Sequence, residues 1–148
     1  MTIEQAIEEA AKAHLGKLDK AGKPYILHPL RVMMSVESPS LDSARIVAVL
    51  HDVVEDTEWT VEKLDATFGL TPEEQDALRL LTHAKGADYD AYIDRLATHP
   101  LARAVKIADL RDNLDVTRLK TITEEDASRI SKYLRSLRKL LRAGAGEP

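Results

Sequence analysis

The stretch His51-Asp52-Val53-Val54-Glu55-Asp56-Thr57 follows directly on the apolar run Ile46 to Leu50 and sets an imidazole and three carboxylates within six positions. Ionisable groups next to aliphatic side chains are costly to bury unless something pairs with them, and a divalent cation is the commonest partner able to satisfy several at once. If the segment is helical, the i,i+3 and i,i+4 relations align His51 with Glu55, and Asp52 with both Glu55 and Asp56. The polar groups then project from one edge of an apolar helix, and that edge is read as a site.

Working outward, helix signals dominate. Thr2 with Gln5, Thr71-Pro72 with Glu74, and Thr123 with Asp126 are N-cap arrangements, each preceding apolar residues at three- and four-residue intervals. The periodicity predicts an all-α fold, a single compact bundle of about eight helices over 2–15, 28–37, 41–55, 60–67, 72–82, 88–97, 100–116 and 124–142. Gly16, Gly22 and Pro24 break the chain into a loop that carries Lys17, Lys20 and Lys23. We read residues 1–143 as one domain and 144–148 as a frayed tail.

Composition narrows the chemistry. With no cysteine in 148 residues, disulfides, thiolate metal sites and cysteine nucleophiles are excluded, and His, Asp and Glu are the only strong ligands left. The longest apolar run has five residues and the first helix carries three glutamates, so neither a membrane span nor a secretory leader is expected and the chain reads as cytoplasmic. A formal charge of −4, from 25 acidic and 21 basic residues, disfavours nucleic acid as the main partner. A small phosphorylated ligand needs only a local basic patch.

Two further segments complete a constellation. His28 precedes Pro29 at the start of a predicted helix, after Lys23-Pro24-Tyr25-Ile26-Leu27. Asp109 lies in Val105-Lys106-Ile107-Ala108-Asp109-Leu110-Arg111-Asp112-Asn113, an apolar helix face interrupted by a carboxylate with an amide four residues on. His28, His51, Asp52 and Asp109 form a two-imidazole, two-carboxylate set drawn from three helices. Such a sulfur-free set suits Mn²⁺, Fe²⁺, Co²⁺ or Mg²⁺, and the two histidines tilt the choice away from Mg²⁺.

This pattern resembles the HD superfamily of metal-dependent phosphohydrolases, and in particular the (p)ppGpp hydrolase domain of RelA/SpoT-type enzymes, in the manner of the small metazoan SpoT homologues. The resemblance rests on Ala13-His14-Leu15-Gly16, Gly22 to Leu30, Leu50 to Thr57, Phe68-Gly69 and Val105 to Asp109. It implies that His28, His51, Asp52 and Asp109 ligate one Mn²⁺, that Glu55 and Asp56 orient and deprotonate the attacking water, and that Lys20 and Asn113 contact the nucleotide. It also implies removal of the 3′-pyrophosphate of (p)ppGpp by a protein without the synthetase domain. The chain has Asp19 before Lys20 where the family usually shows a second cation, and Leu110 and Val116 where the family commonly has Arg and Thr. These positions motivate an alternative nucleotide substrate, a nucleoside monophosphate or a phosphorylated dinucleotide. A non-catalytic nucleotide-binding module is a third reading.

His14, just before Gly16, is read as packing or as a helix-dipole partner, and His83 and His99 lack the neighbouring carboxylates a second metal would need. Tyr89 and Tyr92 are read as helix packing. In the last helix, Ile130, Leu134, Leu137 and Leu141 are read as the core-facing stripe, with Arg129, Lys132, Arg135, Arg138, Lys139 and Arg142 around it. A self-association surface, which would make a homodimer, or a nucleic-acid surface is the sharper reading of the same pattern.

Overall fold

The computed structural model describes residues 1–146. Among these residues eight α-helices make up the architecture: α1 (Ile3–Ala13), α2 (Leu27–Ser35), α3 (Leu41–Asp56), α4 (Val61–Phe68), α5 (Pro72–Leu81), α6 (Tyr89–Ala97), α7 (Pro100–Asn113) and α8 (Glu124–Ala145), with a 3-10 turn at Val116–Arg118. The all-α expectation holds, and among the described residues the only β pairing is an isolated bridge between Leu18 and Pro24. No helix among them is long and apolar enough to cross a membrane.

Local chemistry explains where the helices begin. Thr2, Thr71 and Thr123 form full capping boxes, Thr60 and Asp88 cap with one side-chain bond, and Pro72 and Pro100 sit at the first helical turn, where a missing N–H costs nothing. His99 caps α7 by accepting from the Ala102 N–H. Pro29 is likewise in the opening turn of α2, so the helix starts without distortion and His28 is fixed on it.

At the centre lies α3, packed against α1, α2, α5 and α7. Val47, Ala48, Val49 and Leu50 are wholly buried, as a helix that is apolar all round must be. The apolar run therefore leads into a buried His51, after which the central helix emerges toward its exposed C-terminal end at Glu55 and Asp56.

Three expectations need correction. Helix α7 ends at Asn113 rather than 116, because the Leu114 and Asp115 N–H groups close the last turn and Asp115 then caps the 3-10 turn through the Thr117 N–H. The inward face of α8 is Tyr133, Ser136, Leu137 and Leu140, whereas Leu134 and Leu141 are 42% and 41% exposed. Gly144 and Ala145 belong to α8, which is closed by Gly146 in the left-handed region at φ 73, so the helix runs into the tail that was expected to fray. Glu147 and Pro148 lie outside the described residues.

Candidate active site

Helices α2, α3 and α7 bring His28, His51, Asp52 and Asp109 together. One ligand atom each from His28, His51 and Asp52 falls within 4.8 Å of the others. Asp109 completes the set, its Oδ1 lying 3.1 Å from His28 Nε2 and 3.6 Å from His51 Nε2. Asp52 faces the same two atoms, at 3.6 Å from His28 and 3.2 Å from His51. The two imidazoles meet edge to face with centroids 5.7 Å apart.

The far side of each histidine fixes its tautomer. His51 Nδ1 lies 2.6 Å from the Ala48 carbonyl, which can only accept, so Nδ1 carries a proton and, in the neutral ring, Nε2 carries the lone pair. His28 Nδ1 lies 2.6 Å from Asp112 Oδ2 and is held the same way. Both Nε2 atoms then point inward at two carboxylates. His51 Nε2 is buried without a hydrogen-bond partner of acceptable geometry, an orphan that such sites do not leave without reason. A divalent cation fits this donor set of two imidazole nitrogens and two carboxylates, and the orphaned nitrogen is the structural observation in its favour.

Electrostatics agree with the geometry. Burial opposes charge on His28, but hydrogen bonds to Asp109 and Asp112 and the nearby Asp52 outweigh it, pushing its pKa up to about 9. Burial likewise opposes charge on His51, and Asp52 and Asp109 again raise its pKa. Burial would raise Asp109, yet the Lys106 ammonium at 2.8 Å and the two histidines hold it well below the carboxylate range. The centre is thus an anionic pocket that favours positive charge.

Glu55 and Asp56 stand at the exposed end of α3, beyond the donor cluster. The Glu55 carboxyl accepts from the His83 N–H at 3.2 Å. Burial raises its pKa, the His83 bond pulls it down, and the negative Asp52 adds to the rise. The bond to His83 ties the end of α3 to the segment that follows α5.

Beside the centre a pocket of about 330 Å³ is lined by Lys20, Tyr25, His28, Arg31, Asn113 and Arg118, among others. Asn113 donates to Asp109 Oδ1 at 2.8 Å, so the amide serves the donor cluster and faces the pocket at once. Lys20 is exposed on the pocket wall. Asp19 lines it too, but its Oδ1 accepts from the Ala21 and Lys23 N–H groups at 2.9 and 2.8 Å, which makes it the staple of its own loop. Leu110 is wholly buried in the core, and Val116 opens the 3-10 turn.

Three residues were not singled out from sequence. Tyr25 donates to Asp52 Oδ2 at 2.7 Å, Lys106 pairs with Asp109, and Asp112 supports His28. Lys106 and Asp112 stand three residues either side of Asp109, a helical spacing that could have flagged them. His14 is buried against Tyr25, with neither ring nitrogen bonded and its pKa lowered by burial. His83 packs against Tyr89 and Tyr92, consistent with the packing role read for those tyrosines.

The chain belongs to the HD domain family, which it matches over residues 6–147. It is 32% identical over 136 residues, 86% of its length, to a GTP pyrophosphokinase of Streptomyces coelicolor. Over 68 residues, 45% of its length, it is 40% identical to a guanosine-3′,5′-bis(diphosphate) 3′-pyrophosphohydrolase of Aquifex aeolicus. It spans only 16% and 10% of those two relatives. A solved structure described as a metazoan ortholog of SpoT that hydrolyzes ppGpp superposes with a TM-score of 0.75 at 24% identity, covering 95% of this chain and 85% of that one, which establishes the shared fold.

Proposed function

We propose that this chain hydrolyses the 3′-pyrophosphate of (p)ppGpp to GDP or GTP and pyrophosphate, with one Mn²⁺ held by His28, His51, Asp52 and Asp109. The observation that carries the reading is the convergence of those four side chains with both histidine Nε2 atoms turned inward. Relatives named for 3′-pyrophosphohydrolase activity, from Aquifex aeolicus and Haemophilus influenzae, support the substrate.

When bound, the cation supplies Lewis acidity toward the phosphoryl oxygens and acidifies a water. The chain's own residues do the rest. Glu55, whose pKa burial raises, accepts the proton of the attacking water, and Asp56 orients that water. The water oxygen bonds to phosphorus as the bond from phosphorus to the ribose 3′ oxygen breaks, and the proton is returned to that oxygen. Lys20 and Asn113 position the nucleotide along the pocket wall.

A second reading keeps the chemistry and changes the nucleotide. It is favoured by Leu110, whose burial removes any cation from that position, and by Asp19, which replaces one on the loop. Both are tested by stripping the protein with chelator, restoring Mn²⁺ and following ppGpp, pppGpp, nucleoside monophosphates and a phosphorylated dinucleotide. Mn²⁺-dependent release of pyrophosphate from the first two is expected. Turnover of the others alone would move the assignment to the second reading.

A further inference from the structure

Asp112 is excluded from the donor set, yet it is the most heavily bonded carboxylate near it. Its side chain is only 9% exposed. Oδ2 accepts a hydrogen bond from His28 Nδ1 at 2.6 Å, while Arg31 forks across both oxygens, Nε to Oδ1 at 2.7 Å and Nη2 to Oδ2 at 3.0 Å. Arg118 closes the other side, donating to the Asp112 carbonyl at 2.6 Å and reaching both carboxylate oxygens at 3.4 Å.

We propose that Asp112 is the positioning residue of the metal centre, holding His28 in its Nε2-ligating tautomer and orientation while Arg31 and Arg118 hold Asp112. The inference rests on the metal-centre reading given under Proposed function. A bidentate guanidinium fork and a second arginine on one nearly buried carboxylate fix its orientation as well as balance its charge. They make sense as a clamp. A carboxylate free to swing would leave the His28 ring free as well, and partners behind a ligating histidine typically matter 10–100-fold in metal affinity.

The arrangement also joins three elements. Arg31 stands one turn beyond His28 on α2, Asp112 lies in the last turn of α7, and Arg118 ends the 3-10 turn. Both arginines line the pocket beside the centre. Asp112 thereby couples the geometry of one metal ligand to the wall the substrate touches.

The test is a Mn²⁺ titration of wild type and Asp112→Asn, with free Mn²⁺ read by electron paramagnetic resonance and the melting temperature of the metal-free proteins measured alongside. The variant is expected to bind Mn²⁺ about 10–100-fold more weakly, with turnover recovering as Mn²⁺ is raised. Unchanged affinity with a lowered metal-free melting temperature would make Asp112 a structural residue and overturn the proposal alone. Absence of Mn²⁺ binding by wild type would overturn it together with the functional reading. Should Asp112→Asn not fold, long-range ¹⁵N–¹H spectra of wild type loaded with diamagnetic Zn²⁺ decide. A proton on His28 Nδ1 supports the proposal, and a bare Nδ1 overturns it.

Discussion

The proposed metal centre and the loop that faces it across the pocket are held by different means. His28, His51, Asp52 and Asp109 stand on three packed helices, with side chains 8%, 6%, 15% and 5% exposed. Each is braced from behind: by Asp112, the Ala48 carbonyl, Tyr25 and Lys106. The loop wall at Leu18 to Ala21 lies outside the helices. Leu18 is 65% exposed, and the turn is held by its bridge to Pro24 and by Asp19's two backbone bonds. A reacting centre needs atoms fixed to a fraction of an ångström, which packed helices provide. A selective wall must admit and release a ligand, and a loop can change residues without disturbing the core.

The comparison predicts that damage on the helical side is catastrophic and damage on the loop side mild. The largest effect is expected for His51→Ala, which removes a donor and leaves Asp52 and Asp109 facing each other. Mn²⁺ binding should be lost by calorimetry, and turnover should fall by more than about 10³-fold, since the several kcal/mol a metal supplies to the reacting charge goes with it. Retained metal affinity would break the account of the centre.

Next is Glu55→Gln, which leaves the donors intact. It should bind Mn²⁺ as wild type does and lose on the order of 10²–10⁴ in kcat. Because burial raises the Glu55 pKa, the acid limb of the wild-type rate profile should be displaced upward from that of a free glutamate and vanish in the variant. An unaltered limb would assign the base elsewhere.

An intermediate effect concerns pH and the metal-stripped protein. The folded pKa of His28, about 9, is above its usual 6.5, so the stability it contributes is fully present below pH 6.5 and is lost as pH rises through 9. At about 1.4 kcal/mol per pH unit the gap amounts to about 3 kcal/mol, measurable by denaturant titration at pH 6 and 9.5. Mn²⁺ binding should tighten over the same window, because the ligand is the neutral ring. A pH-independent midpoint would contradict the carboxylate cradle around His28.

The smallest effect belongs to the loop. Asp19→Ala removes two hydrogen bonds, each worth about 1 kcal/mol, and should raise KM for the nucleotide by up to about tenfold with kcat nearly constant. A collapse of kcat would show that the loop shapes the reacting centre and would erase the contrast.

How far this was legible in the sequence follows from the range of the interactions. Capping pairs such as Thr71 with Glu74 are three residues apart, and the starts of the helices they open agree with the sequence reading to within about one residue. The clustering of His28, His51, Asp52 and Asp109 was legible because residues of unusual chemistry interrupt apolar faces. The supports were not, because Tyr25 meets Asp52 across 27 positions and His28 meets Asp112 across 84. The face of α8 was misread for another reason. Two stripes of similar periodicity run along it, and packing selects the one carrying Tyr133, whose ring lies 6.4 Å from that of Tyr89, with Lys132 Nζ 4.4 Å above the Tyr89 ring. Leucine spacing alone does not contain that choice.

The most direct measurement is a crystal structure of the Mn²⁺-loaded protein with anomalous data at the manganese edge. We expect one peak within about 2.0–2.3 Å of His28 Nε2, His51 Nε2 and a carboxylate oxygen from each of Asp52 and Asp109. A peak bonded to other side chains, or none at saturating Mn²⁺, would contradict the assignment of these four residues as a single metal centre.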